Sequence, residues 1–334
     1  MALSKIQTEE MLDTPIVGRR NHIINGAMVI DQRNDGSTVT AHNSYPVDRF
    51  RISEVTTTGT FEASRSTEAP DDFTNSLLFK VKTTDTDIGA EYAGIRHKVE
   101  GYNMAHLNFG TSAAKTITLS FYVKFSVTGT YGGAIGNGSN RTYPFSYTVN
   151  TADTWERKTI TIEGSTSGTF ASDNTTGFEM WLLAIGGTTY GNEAAGAWVD
   201  SYEISPTGVT NFYATDESTY YITGVQLEVG DTATPFEHRS HGEELALCQR
   251  YYREDEFNVQ GYPGTSGYAH CQLNWAPMRA APSATITDGS TSGKSSVATA
   301  AYNIATTGCR VENQASGNGR LHNLGGDIKL ASEL

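Results

Sequence analysis

The most constraining stretch of this chain is residues 115–127. There Ile117, Leu119, Phe121, Val123 and Phe125 alternate with Thr116, Thr118, Ser120, Tyr122 and Lys124. A period of two sends the apolar set to one side of an extended strand and the polar set to the other, so the segment predicts a half-buried strand of fixed register. Such a strand needs a second layer to cover its apolar face. Strand-like runs also occur at residues 47–55, 76–82, 90–98, 143–149, 155–162, 177–185 and 220–229. Turn-forming text separates them, at Gly132-Gly133, Gly136-Asn137-Gly138, residues 164–168 and Gly186-Gly187. From Asn21 onward, Ile23, Ile24 and residues 27–30 flank Asn25-Gly26, which predicts strands around a turn or bulge. Many short strands joined by turn chemistry predict a sandwich or barrel, and no repeat of fixed period points to a solenoid.

A length of 334 residues suits two domains and a short arm. Residues 3–12 predict a short helix that Thr14-Pro15 stops, within an arm covering 1–20. Ser240-His241-Gly242-Glu243 reads as a capping box, with Ser240 as N-cap. The helix it starts is expected to run from His241 to about Arg253, with Leu245, Cys248 and Tyr252 on one face. Thr234-Pro235 ends the strand before it, which places a domain boundary near residue 235. Beyond the helix, residues 268–275, 284–287, 295–304 and 308–311 predict strands, and 288–296 a hairpin or loop. The expected architecture is all-β: a sandwich over 21–235, then 236–334 with a linking helix and a smaller C-terminal β domain. The apolar core of that second domain is thin for its size, which is a common sign of burial against a partner.

Charge and chemistry exclude several classes. With 24 basic and 37 acidic residues the chain carries a formal charge of −13, unsuited to nucleic acid, whose binding needs cations that displace counterions. No run of about 18 apolar residues predicts membrane insertion, and the first ten residues lack the basic-then-apolar pattern of an export signal. The three cysteines, Cys248, Cys271 and Cys309, have neither disulfide-framework nor zinc spacing and are expected as small buried hydrophobes. The carboxylate pairs Asp71-Asp72, Asp85/Asp87 and Glu243-Glu244 fit polar turns and a helix first turn rather than a hydrolytic cleft. The eight histidines share no ligand spacing. No enzyme activity and no cofactor are expected. A structural calcium is the one option the abundance of hard oxygen ligands leaves open.

Several segments carry a resemblance. Residues 18–28, through Arg19, Arg20, Asn21, His22, Ile23, Ile24, Asn25 and Gly26, lead to Gln32-Arg33 and then to Tyr45-Pro46-Val47-Asp48-Arg49-Phe50. Much later come Tyr221-Ile222-Thr223-Gly224-Val225-Gln226-Leu227-Glu228, Ala233-Thr234-Pro235-Phe236 and Glu243-Glu244-Leu245-Ala246-Leu247-Cys248. Together these resemble phage tail-fibre-like structural proteins. The texts Ser120-Phe121-Tyr122-Val123-Lys124 and Thr154-Trp155-Glu156-Arg157-Lys158 are similar to those of a carbohydrate-binding-module jelly roll of the galactose-binding-like type. The resemblance implies a jelly-roll sandwich in a virion structural protein on the tail or capsid exterior. It further implies a homotrimer, an N-terminal arm engaging other virion proteins, and a host surface polysaccharide as ligand for adsorption. Only about 20 residues precede the sandwich, which keeps an alternative open: a non-ligand-binding assembly component, such as a head decoration or tail connector.

Sugars offer flat apolar faces rimmed by hydroxyls, so exposed aromatics beside Asn are the natural candidates. In the Gly-rich stretch 129–143 these are Tyr131 and Asn137. In the stretch 186–198 they are Tyr190, Asn192 and Trp198. Trp155 and Trp181 lie within strand patterns and are expected in the core.

Overall fold

The computed structural model describes residues 19–55, 58–264, 267–317 and 320–334. The expected helix at 3–12 lies outside the described residues. The described chain is predominantly strand and forms two compact units. One comprises residues 19–29, 36–46 and 50–238, and the other residues 30–35, 47–49 and 239–334. The main division between them falls at His238/Arg239. Two short excursions, 30–35 and 47–49, leave the first unit's sequence and belong to the second.

The first unit is a jelly-roll sandwich of two antiparallel five-stranded sheets. One sheet has the order β1 (Phe50–Val55), β4 (Tyr92–Glu100), β9 (Thr176–Ile185), β6 (Gly129–Gly136), β7 (Thr142–Val149). The other has the order β2 (Thr60–Ser66), β3 (Ser76–Thr83), β10 (Thr219–Val229), β5 (Ile117–Phe125), β8 (Glu156–Ile162). The chain crosses repeatedly between the sheets, staying in one only for the hairpins β2-β3 and β6-β7, which is how a jelly roll wraps two layers around one core. In β5 the apolar set Ile117, Leu119, Phe121, Val123 and Phe125 is fully buried as expected, while on the other face Thr118 and Ser120 are buried as well. Their neighbours in the core are aromatic. Phe125 meets Tyr131 at 4.8 Å and Tyr220 at 5.0 Å between ring centroids, and Phe121 meets Tyr147 at 5.1 Å, all edge-on. Such pairs add roughly 0.5–1.5 kcal/mol each beyond their area. The buried hydroxyls are satisfied by backbone carbonyls: Tyr131 donates to Val127, Tyr147 to Leu182 and Tyr220 to Phe212.

Two sequence readings fail in this unit. Residues 21–46 form turns and one isolated bridge, Val39 to Ala63, rather than strands. Their backbone groups are used differently. The register of β10 against β5 shifts between Thr223 and Gln226, at Gly224, whose φ is +62°. The 21–26 segment lines β10 beyond Ile222, where its pairing with β3 ends. Val225 N–H donates to the Gly26 carbonyl at 2.9 Å, His22 N–H to the Leu227 carbonyl at 3.0 Å, and Leu227 N–H to the Asn21 side chain at 3.1 Å. A Cβ at Gly26 would collide with the Val225 carbonyl, so glycine is required by that approach. The second failure is β6. Its text, Gly-Thr-Tyr-Gly-Gly-Ala-Ile-Gly, reads as a loop but is a strand paired with β7 and β9.

The second unit packs two antiparallel sheets. One has the order β11 (Tyr252–Gly261), β17 (Leu321–Ala331), β13 (Ser283–Thr287), with β14 (Ser290–Ser292) also on β17. The other has the order β12 (Tyr268–Asn274), β16 (Gly308–Gln314), β15 (Ala300–Ala305). Phe257, Val259, Met278, Val311, Ile328 and Leu330 are among its buried core. The helix His241–Gln249 begins as expected, with the Ser240 side chain accepting from Glu243 N–H. It stops four residues short of Arg253, because β11 starts at Tyr252. Beside it, Arg33 pairs with Asp48 at 3.2 Å and Glu333 at 2.7 Å, Arg49 pairs with Glu333, and the Arg33 and Arg49 guanidinium groups lie over Tyr252 and Tyr251. All three cysteines are free.

Candidate functional site

The outward face of the first sheet, β1-β4-β9-β6-β7, can be read row by row from its register. Residues paired across neighbouring strands share a face. Arg51 on β1 opposes Arg96 on β4, Arg96 opposes Trp181 on β9, and Trp181 opposes Ala134 on β6. Two residues along, Lys98 opposes Glu179, and Glu179 opposes Gly136. The intervening residues Ile95, His97, Met180 and Ile135 face the core. Two rows thus put three cations, one carboxylate and one indole on a single outward surface.

Trp181 is the floor. It is 2% exposed, although it lies outside the sandwich core, because Tyr92, Tyr190, Tyr202 and Ile204 pack over it. Gly94 allows this: a Cβ there would sit 2.9 Å from Trp181 Cε3 and 2.6 Å from the Leu183 carbonyl. Glu179, 3% exposed, is the hub. It accepts from Trp181 Nε1 at 3.0 Å and from the Tyr202 hydroxyl, and it pairs with Arg96 and Lys98, each at 3.4 Å. Burial, then the Glu179 charge, pushes the Tyr202 hydroxyl well above its usual range. At the β9-β6 side the segment carrying Tyr202 and Glu203 closes over a shallow dent, lined also by Gly138 and Thr142, with no room for a water molecule. This dent is too tight for a sugar ring. The part of the face with reachable side chains is the β1-β4 side, where Arg51, Tyr92, Arg96 and Lys98 are half-buried.

On that side Arg51, Arg96 and Lys98 face one carboxylate, Glu179. Burial, reinforced by the Arg96 charge, holds Arg51 below the ordinary guanidinium range. Burial, with Arg96 and Arg51, holds Lys98 below the lysine range despite Glu179. His42, whose Nδ1 accepts from Glu54 N–H at 2.9 Å, is lowered by burial and then by Arg51 and Arg96. Arg51 uses Tyr45 as a hydrogen-bond partner, yet its buried Nε has none among the described residues.

The five residues singled out from the sequence do not converge. Tyr131 is 1% exposed in the sandwich core and is not a loop-tip ligand, because β6 occupies the stretch that reads as a loop. Asn137 spends its side chain on its own hairpin, accepting from the N–H groups of Ser139, Asn140 and Arg141 and donating to Asn140 and Thr169. Trp198 sits in a separate aromatic cluster with Phe109, Tyr143 and Phe170, its Nε1 donating to the Glu163 carbonyl at 2.7 Å. Tyr190 does reach the outward face, edge-on to Tyr92 at 5.5 Å and to Tyr202 at 5.8 Å. Asn192 is exposed nearby, its N–H donating to Glu203 at 2.9 Å. Arg51, Arg96, Lys98 and Glu179 escape sequence reasoning, although the i, i+2 spacing of Arg96 with Lys98 and of Glu179 with Trp181 carries the signal.

No family model and no curated protein matches this chain. Solved structures similar to it include the enzymatically active domain of tailspike protein 4 of bacteriophage CBA120, with TM-score 0.35, 9% identity, and coverage of 63% of this chain and 21% of that one. The C-terminal family 22 carbohydrate binding module of Clostridium thermocellum Xyn10B has TM-score 0.33 and 12% identity, covering 58% of this chain and 96% of the module. TmCBM61 in complex with β-1,4-galactotriose has TM-score 0.33 and 9% identity, covering 64% of this chain and all of that one. The match thus spans about a fifth of the tailspike's length. Among the described residues no helix is long and apolar enough to cross a membrane.

Proposed function

We propose that this chain is a virion surface component that holds a host surface polysaccharide and does not turn it over. The observation that carries the ligand reading is the outward face of the first sheet, where hydroxyl-bearing tyrosines surround Arg51, Arg96, Lys98 and Glu179 over an indole floor. Polar groups fixed on strands around an apolar floor suit a polyhydroxylated ligand. The virion setting rests on the tail-fibre-like segments. Two of these, around Asn21–Gly26 and Val225–Leu227, bond to each other and hold the sandwich together. A homotrimer follows from the same resemblance, and it would turn a weak site into an avid one.

The test uses the purified full chain on an array of bacterial surface polysaccharides and as a competitor of phage adsorption to host cells. Retention on at least one polysaccharide, competition for adsorption and no release of reducing ends support the proposal. Absence of retention and of competition refutes the ligand reading, and released reducing ends refute the non-enzymatic one. A second reading, assembly without a ligand, is favoured by the aromatics the second unit presents to solvent: Tyr262 at 81% exposure, Tyr268 at 55% and Tyr302 at 45%. It predicts adsorption that is indifferent to added chain and particles that fail to assemble without it.

A further inference from the structure

We infer that the ligand of this face is acidic: a glycan bearing carboxylate or sulfate groups that seat between Arg51, Arg96 and Lys98. The inference rests on the polysaccharide reading above and specifies its chemistry.

The argument begins from an arrangement that folding alone disfavours. Arg51 and Arg96 are directly opposed on neighbouring antiparallel strands, where like charges repel. Lys98 adds a third cation two residues along the same face. Glu179 answers Arg96 and Lys98 through Oε2, at 3.4 Å from each, while its Oε1 accepts from Trp181 and Tyr202, so one carboxylate stands against the three cations. The other carboxylate of the site, Glu203, lies on the closed side and accepts from Asn192 N–H. Arg51 is left with a buried Nε that no described residue accepts from. In a chain with a formal charge of −13, a cluster of cations brought together on rigid strands marks a place where an anion is wanted. Guanidinium groups bind carboxylate and sulfate oxygens through paired N–H donors, and the Arg51 and Arg96 side chains are only half-buried on this face. The lowered pKa values of Arg51, Lys98 and His42, set first by burial and then by the neighbouring arginines, agree in direction.

The test measures binding of the full chain to polygalacturonate, carboxyl-reduced polygalacturonate, dextran sulfate and dextran at two salt concentrations. The expected result is binding to one or both acidic polymers, at least tenfold weaker on the neutral counterpart and weakened by salt. A preference for polygalacturonate identifies a carboxylate ligand, and one for dextran sulfate a sulfate ligand. Arg51→Gln should lose at least tenfold in affinity while its melting temperature stays at or above that of the unsubstituted chain. Lys82→Gln, on the opposite sheet, should bind normally. Equal binding to neutral and acidic polymers overturns the inference and leaves the polysaccharide reading standing. Binding to neither class, together with an empty polysaccharide array, overturns both. Undiminished binding by a folded Arg51→Gln chain removes the arginine from the site and overturns the inference as drawn.

Discussion

The two outward faces of the sandwich both carry cations, and they dispose of them in different ways. On the second sheet Lys80 and Lys82 share Glu217, and Lys124 pairs with Glu68 at 3.0 Å. There the carboxylates are drawn below their ordinary range by their partners: Glu217 by Lys80 and Lys82, and Glu68 by Lys124. On the first sheet the cations are the strained groups, with Arg51 and Lys98 held below their ordinary range by burial and by one another. One face has local balance and needs nothing further. The other sets three cations on the neighbouring strands β1 and β4 against one carboxylate, Glu179, beside a buried indole. The surface that folding does not explain is the better candidate for a ligand.

The comparison breaks most visibly at the two tryptophans. Trp181 is buried beneath its tyrosine cover on the first sheet, whereas Trp155, next to Tyr221 at 6.2 Å on the second, is only partly buried. Trp181→Ala should destabilise the chain by about 3–5 kcal/mol, the cost of emptying a large buried site. Trp155→Ala should cost less, about 2–3 kcal/mol, because a half-buried indole takes only part of its area out of water. Denaturant melts of the two variants check this, and equal losses would mean that the cover over Trp181 does not form.

Glu179→Gln comes next. The amide can still accept from Trp181 and Tyr202, but it no longer neutralises Arg96 and Lys98. Leaving two half-buried cations without their counter-charge should cost about 2–3 kcal/mol, and the loss should shrink at high salt. Neutralising Glu68 on the second sheet, an exposed pair, should fall within about 0.5 kcal/mol of zero.

Acid should act through the edge of the second sheet. Burial opposes ionisation of Glu156, but Lys158 at 2.5 Å and the N–H groups of Thr151 and Asn150 outweigh it and bring the carboxyl from 4.5 down to about 2. A carboxyl depressed by folding contributes stability that is complete above its unfolded value and is lost as pH falls through the folded one. Melting temperature should therefore drop between pH 4.5 and about 2, and Glu156→Gln should flatten that part of the profile. An unchanged acid limb in the variant would place the acid-sensitive group elsewhere.

How far the sequence carried this reading differs between scaffold and site. The sandwich was legible because β5 and its neighbours alternate with a period of two, and Ser240 announced its helix through an oxygen that caps Glu243. β6 was illegible because four glycines hide a strand whose packing is supplied by Phe145 and Trp181 from other strands. That is why Tyr131 moved from a supposed loop tip into the core. The site was largely illegible for a related reason. Arg51, Arg96 and Glu179 lie on three strands tens of residues apart, and each alone is an ordinary outward-facing polar residue. Only the register that aligns β1, β4 and β9 makes them neighbours. Tyr190 was reached by its residue type and its Gly-rich setting, while Trp198, chosen on the same grounds, packs into a different cluster.

The smallest expected effect is the most discriminating, because its sign differs between the two faces. Arg51→Gln removes one of two opposed like charges while keeping a polar side chain of similar length. Relief of that repulsion should raise stability by a few tenths of a kcal/mol, up to about 1. The gain should fade with added salt, since the side chain is only half-buried. Lys82→Gln on the second sheet removes an attraction to Glu217, so its effect on melting should be nil or slightly negative. Thermal melts at low and high salt compare the two directly. A cation retained for folding would show a loss at Arg51 that matches or exceeds the one at Lys82. A cation retained for a ligand shows a gain at Arg51 in the free chain, and that gain reverses when an acidic polysaccharide is added, because the unsubstituted chain is then stabilised by what it binds and the variant is not.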